Sequence, residues 1–492
     1  MFSLQNLLQK ESPGRLAVGL VALLALLHLL VIGRFALSVD EAHYALYGLM
    51  PDWSYFDHPP MVGWLQAVIV PLASGEFFLR LWPLLLSIVA SFLLYRLTRE
   101  LFPEAPAWYG LVSVTLLQSA IIFQLISMAL VPDGPLLVFG LAGSLFLYRA
   151  INHNRWRDWL LLGLMFGLAG LSKYTAITLV VTALVYIALE RRWTLLAGPR
   201  PWVAMLLAVL VITPVLYWNA THDWLSFKYQ LGHGAPDRSW DWLRFARAQL
   251  AQVFAYAPGI FIFGIAALWT GLRSRAEPGV RFSIALALPI LLLFGWGSGF
   301  EMTLPHWTVL AWAGLAPLTA WWLAPRWSRR WVRVTAYFTG GYSVVLILLL
   351  HSQLFSPWLP FEEHRHPLGD LYGWEEATEH ALELSYSMSQ ALDEVPPLMV
   401  GNWSLASRVA WYARPTPVLV ADNRFDQFDL WYGAPKPGSE GLLIVPDNYH
   451  GRPKVSGEAH FRLCTQLDTL VVRQGPTPVH TFYYYRCQGY HD

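Results

Sequence analysis

The chain has 492 residues, of which 55% are hydrophobic and only 14% charged, and its formal net charge is +1. Soluble chains carry about 25% charged residues, so this composition excludes an ordinary soluble globular protein. The near-zero net charge also excludes a nucleic-acid binder that works through a basic face. Two cysteines exclude a multi-disulfide scaffold.

Lys10 and Arg15 precede an apolar run that reads as an uncleaved anchor, since no Ala-x-Ala-type site closes it. In chain order, span-length apolar windows fall at roughly 15–37, 78–98, 106–126, 134–150, 158–172, 174–190, 202–218, 252–272, 280–298, 305–324 and 332–351, about eleven in all. Loops rich in arginine (Arg96 and Arg99; Arg149, Arg155 and Arg157; Arg191, Arg192 and Arg200; Arg273, Arg275 and Arg281; Arg326, Arg329, Arg330 and Arg333) alternate with acidic or neutral loops at 38–77, 127–133 and 299–304. By the positive-inside rule the basic loops and the N-terminus are expected in the cytoplasm, and the acidic loops and everything after His351 outside. Segment 219–250 is expected outside yet carries Lys228, Arg238, Arg244 and Arg247, which points to an anionic ligand. The 25 Trp and 22 Tyr gather near span ends, as interface anchors do.

The first outer loop, 38–77, carries the most concentrated chemistry. A short helix at 39–49 sets Asp40, His43, Tyr44 and Tyr47 on one face by i, i+3, i+4, i+7 spacing, with Glu41 pointing elsewhere. Asp57-His58 then precede Pro59-Pro60 and an apolar segment, 61–72, too short to span. There the helix N-terminus favours an anion. Further outer-side groups are Asp133 in Val131-Pro132-Asp133-Gly134-Pro135, Lys173 as an isolated cation after Ser172, and His306 before Trp307. Ionisable groups at span ends are costly and ask for a function. Each has a plainer alternative: Asp40 or Asp133 as a helix cap, Glu41 as a solvated neighbour, His306 as an interface anchor, Lys173 snorkelling from a span end. His58 is open between phosphate contact, turn residue and, with Asp57, a divalent-metal ligand; no His-x-x-x-His spacing supports the metal.

After His351 no span recurs. A helix at 374–393 and strands near 397–401, 416–420, 441–446, 461–473 and 479–487 predict a small α/β domain, 352–492, following a membrane domain, 1–351, that includes the first outer loop. Cys464 and Cys487 flank Gly475-Pro476 at equal distances. A hairpin turning there places them opposite one another, within disulfide reach, in a compartment expected to be oxidising.

The motifs Asp40-Glu41-Ala42-His43-Tyr44, Tyr55-Phe56-Asp57-His58-Pro59-Pro60, Pro132-Asp133-Gly134-Pro135, Leu171-Ser172-Lys173-Tyr174 and Pro305-His306-Trp307 resemble those of the GT-C membrane glycosyltransferases. The branch is that of the protein O-mannosyltransferases and the lipid A aminoarabinose transferases. Ser404-Leu405-Ala406-Ser407 and Gln427-Phe428-Asp429-Leu430-Trp431 are similar to family segments too, so the resemblance covers most of residues 30–435. It implies a polytopic α-helical fold of about 11–13 spans with a C-terminal extracytoplasmic α/β domain, in a bacterial inner membrane. It also implies inverting transfer of a sugar from a polyprenyl-phosphate donor to a lipid, glycan or protein hydroxyl, with no cofactor beyond an optional divalent metal. By the resemblance Asp40, with Glu41 beside it, is the catalytic acid/base. His43, Tyr44, Asp57, His58, Asp133, Lys173, Lys228, Arg244 and His306 are the substrate-binding candidates, the cations facing the leaving phosphate. The Asp57-His58-Pro59-Pro60 motif departs from the Glu-Lys-Pro-Pro of the aminoarabinose branch, which argues against aminoarabinose or lipid A as substrate. Two other readings remain at this stage: a transporter or flippase of lipid-linked sugars, and a ligase or polymerase of lipid-linked glycans. Against the transporter stand the clustering of ionisable groups at one face and the absence of internal symmetry.

Overall fold

The computed structural model describes residues 12–73, 75–234, 239–274, 277–359, 368–389, 395–474 and 477–491. Contacts divide the chain into two units. One holds the residues through Leu29, His58–Val62 and Arg80–Leu350; the other holds Leu30–Asp57, Gly63–Leu79 and the chain from His351 on. The first outer loop therefore folds mainly with the C-terminal domain and not, as a simple cut at 351 has it, with the membrane helices.

The first unit is helical. Among the described residues four helices are long and apolar enough to cross a membrane: Glu76–Leu101, Asp133–His153, Pro278–Gly297 and Arg330–Phe355. The number is six if each of two bent pairs is one span. These pairs are Pro199–Val211 with Thr213–Thr221, bent 51°, and Trp242–Ala255 with Pro258–Ser274, bent 107°. The expected eleven windows are nearly all helical, but several helices are shorter than the windows. The first runs Pro13–Leu29 and ends well before Leu37. The 106–126 window breaks into Trp108–Gln118 and Ile121–Ile126, with Ala120 extended between them. Lys173, extended at φ −159°, separates Trp156–Ser172 from the turn at Tyr174–Ala176 and the helix Ile177–Leu189. Averaging hydropathy over a window cannot detect a single residue that leaves the helix. The 156–172 helix packs closely on the 199–211 helix because its contact stripe is glycine. A Cβ at Gly163 would strike the Ala204 carbonyl, and one at Gly167 would meet Val211 Cβ at 2.5 Å.

The second unit is built on a five-stranded sheet: β1 Leu398–Val400, β2 Val418–Val420, β3 Glu440–Pro446, β4 Phe461–Gln474 and β5 Thr477–Tyr490, in the order β2-β1-β3-β5-β4. β1 runs parallel to β2 and β3, and β5 pairs antiparallel with β3 and β4. Met399, Leu443, Val445, Phe461, Tyr485 and Cys487 form a core on it. Cys464 faces Cys487 in the β4–β5 register, and the two are joined by a disulfide. The expected turn at Gly475-Pro476 lies outside the described residues. The helix Trp403–Tyr412 connects β1 to β2 and is capped by Asn402, whose side chain accepts from Leu405 N–H at 3.1 Å. On this unit sits the short helix Val39–Leu49. Leu37 N–H donates to the Tyr412 hydroxyl at 3.2 Å, Ala36 N–H to the Leu371 carbonyl at 2.9 Å, and Phe56 N–H to Gln427 Oε1 at 2.8 Å. The helix Met61–Ile69 lies close against the 39–49 helix because Gly63 has no side chain; a Cβ there would fall 2.8 Å from both Tyr47 Cβ and the Tyr55 hydroxyl.

Candidate active site

The 39–49 helix starts with a reciprocal cap. Glu41 is 4% exposed, and its Oε2 accepts from Ser38 N–H at 3.0 Å and Ser38 Oγ at 2.9 Å. This corrects the expectation that Glu41 is catalytic or solvated: its carboxylate secures the start of its own helix. Asp40 lies in the first turn, half-buried. Because Ser38 and Glu41 already cap the helix, Asp40 is not needed for that purpose. One turn later His43, Tyr44 and Tyr47 point into the unit, all buried. Tyr47 stacks on Tyr55, centroids 3.5 Å apart, and donates its hydroxyl to Asp57 Oδ1 through a short contact. Burial first, then the Asp57 charge, pushes the Tyr47 hydroxyl well above the ordinary tyrosine range, so it stays protonated and can donate to Asp57. His43 Nε2 stands 3.7 Å from the same Asp57 oxygen. Its Nδ1 lies 3.0 Å from Ser407 Oγ, on the 403–412 helix. Tyr44 packs its ring against His43 and Tyr47.

Residues 427–432 form another contributor that sequence reasoning left without a role. This helix, Gln427–Tyr432, is capped by Asp426: Oδ1 accepts from Phe428 N–H at 2.7 Å, and Asp429 Oδ2 accepts from Asp426 N–H at 2.7 Å. Phe428 and Trp431 place their rings 5.9 and 6.0 Å from His43, and Trp403 comes to 5.3 Å. The only signal in the sequence for these residues was the resemblance of segments 404–407 and 427–431 to family segments. Burial, aided by the charges of Asp429 and Asp422, pushes the Asp426 carboxyl up to about 6. A carboxyl whose folded pKa exceeds its unfolded value binds more protons when folded, so its contribution weakens as pH rises from about 4 through about 6. We expect Asp426→Asn to raise stability at pH 7.5, by on the order of 2 kcal/mol, and not at pH 4. Melting temperatures of both forms across that range check this, and parallel curves would contradict it.

In the first unit Asp133, Lys173 and His306 come together. Asp133 opens the 133–153 helix and is 1% exposed; Lys173 ends the 156–172 helix and is 7% exposed. Lys173 Nζ lies 2.8 Å from each Asp133 oxygen, and His306 Nε2 is 3.7 Å from Asp133 Oδ2. Lys173 also stands 5.6 Å from the Trp307 ring centroid. It is thus not the isolated cation expected from the sequence; a carboxylate 40 residues away holds it. Lys173 and Tyr174 also line a cavity of about 540 Å³ between the 156–172, 177–189 and 199–211 helices. Trp159, Phe166, Val180, Ala183 and Met205 line it further along, and among the described residues Lys173 is the one charged residue in its wall. From Trp159 to Lys173 the wall runs roughly 20 Å at 1.5 Å per helical residue.

The other expected residues are not gathered with these. Arg244 donates from Nη1 to the carbonyls of Gly299 at 2.9 Å and Phe300 at 2.5 Å. Lys228 is exposed on the helix Leu225–Gly234. Arg238 lies outside the described residues. His58 is half-buried, and among the described residues no three His, Cys, Asp or Glu side chains gather as a metal site would require.

Residues 57–218 match the family described as dolichyl-phosphate-mannose-protein mannosyltransferase. The chain is 26% identical over 340 residues to the lipid A galacturonosyltransferase RgtD of Rhizobium johnstonii, covering 65% of this chain and 67% of that protein. It is 29% identical over 190 residues to the lipopolysaccharide core galacturonosyltransferase RgtA of the same organism, 37% of each. Among solved structures, ArnT from Cupriavidus metallidurans bound to undecaprenyl phosphate superposes with a TM-score of 0.65 at 16% identity, covering 96% of this chain and 98% of ArnT.

Proposed function

We propose that this chain, which shares the fold of ArnT, is a membrane glycosyltransferase that moves a sugar from a polyprenyl-phosphate donor to a hydroxyl of lipid A or the lipopolysaccharide core, on the outer face of the inner membrane, a reading that the family match and the relatives support. The observation that carries this reading is the apolar cavity with a single cation, Lys173, in its wall. An isoprenoid chain ending in phosphate has the matching chemistry: a long apolar body and one anionic end. ArnT binds undecaprenyl phosphate, and the relatives RgtD and RgtA act on lipid A and the lipopolysaccharide core, which supports both partners of the reaction. These relatives also reopen lipid A as an acceptor, which the Asp57-His58 departure had argued against.

In mechanism, Asp40 takes the proton of the acceptor hydroxyl as that oxygen attacks the anomeric carbon from the side opposite the phosphate, so configuration inverts. The leaving phosphate keeps the electron pair of the broken C–O bond, and Lys173 stabilises its charge. Asp133 holds the ammonium in place, and His306 Nε2 lies 3.7 Å from the same carboxylate.

Purified protein with lipid A, lipopolysaccharide core or a peptide as acceptor, and polyprenyl-phosphate-linked galacturonate or aminoarabinose as donor, tests the reading. A glycosylated lipid A or core product is expected; transport of the donor across vesicles with no product in any combination would overturn it. Filling the cavity with Ala183→Trp should raise the KM for the donor by tenfold or more, because an indole removes space that the chain needs. The KM for the acceptor should change little. An unchanged donor KM would place the isoprenoid elsewhere.

A further inference from the structure

A base that removes a proton in every turnover must pass it on. His43 is one helical turn after Asp40, at the i+3 spacing that makes two helical residues neighbours. The hydrogens around its ring follow from counting. Ser407 has one hydroxyl hydrogen, and Oγ donates it to the Trp403 carbonyl at 2.8 Å. With that hydrogen kept on the carbonyl, Oγ can only accept toward His43, and the hydrogen of the 3.0 Å contact then sits on Nδ1. In the neutral ring Nε2 is left bare, and it is the nitrogen that stands 3.7 Å from Asp57. That carboxylate takes the Tyr47 hydroxyl hydrogen.

We propose that Ser407 is a positioning residue for glycosyl transfer: it holds His43 as the Nδ1–H tautomer so that Nε2 receives the acceptor's proton from Asp40. The proposal rests on the reading of Asp40 as base. The acceptor O–H bond breaks, its electron pair becomes the new glycosidic bond, and the proton passes through Asp40 to Nε2. The imidazolium formed has Asp57 beside it and lies among the rings of Tyr47, Trp403, Phe428 and Trp431, an arrangement that stabilises a cation. The titratable groups facing His43 are Tyr44 and Tyr47 on its own helix, Asp57 on the following loop, and Asp426, whose charge also reaches it.

Nitrogen-15 spectra of histidine-labelled full-length protein, with the His43 signal identified by its loss in His43→Gln, report the tautomer independently of activity. The wild type is expected to show Nδ1–H. Ser407→Ala is expected to move the hydrogen to Nε2 and to lower kcat by about tenfold or more, as loss of proton-transfer assistance does, with the donor KM within threefold. Ser407→Thr, which keeps the hydroxyl, should restore both. An Nε2–H wild type, a tautomer unchanged in Ser407→Ala, or a changed tautomer with unchanged kcat each overturns the proposal. If instead Asp40→Asn proves fully active while the tautomer switches as described, the base assignment fails, and with it the proton route, while the Ser407–His43 geometry stands.

Discussion

Asp40→Asn is expected to lower the rate of sugar transfer by about 100- to 10,000-fold, the usual cost of losing a general base, with little change in stability. The structure makes this test clean. An aspartate near a helix start commonly serves as the cap, and removing a cap costs about 1 kcal/mol. Here Ser38 and Glu41 perform that task. Asp40 adds a charge near the positive end of an eleven-residue helix, worth about 0.3–1 kcal/mol. A large loss of rate with an unchanged melting temperature therefore reports chemistry. Glu41→Gln should do the reverse, weakening the helix start with a smaller effect on rate. A folded Asp40→Asn protein working at near wild-type rate would falsify the base assignment.

The second large effect is expected at Lys173. Its ammonium and the Asp133 carboxylate are both buried and in direct contact. Removing one partner of such a pair leaves a buried charge without compensation and costs about 3–5 kcal/mol, whereas replacing both is often neutral. Lys173→Ala should therefore destabilise the protein and raise the donor KM at least tenfold. The pair Lys173→Met with Asp133→Asn separates the two effects. Stability should return, because no charge remains stranded, but the donor KM should stay high, because nothing is left to meet the phosphate. A double variant that regains both would show that Lys173 serves the fold alone.

The sequence was most legible where structure is local. Apolar windows found most of the helices, and short apolar runs found five strands within a few residues. The equal spacing of Cys464 and Cys487 about Gly475-Pro476 anticipated a register that pairs them directly. It was least legible where distant segments meet. Nothing in the pattern around Lys173 says that Asp133 is its partner, and nothing around His43 announces Ser407, 364 residues on. Periodicity reports the geometry of one element; which elements meet is decided by packing across the whole unit. Glu41 failed for a related reason. A helical wheel places it off the shared face, but not whether Ser38 bends back to meet it.

The union of the first loop with the C-terminal domain also has a consequence in time. The ribosome makes residues 30–79 early, but their hydrogen-bonding partners at Leu371, Tyr412 and Gln427 come about 335–375 residues later. At about 5–20 residues per second, that is a delay of roughly 17–75 seconds. Throughout it, the segment bearing Asp40 lacks the Ser407, Trp403, Phe428 and Trp431 contacts that surround His43. A nascent or truncated chain thus carries its membrane helices without a working centre, and the final domain acts as the step that switches the enzyme on.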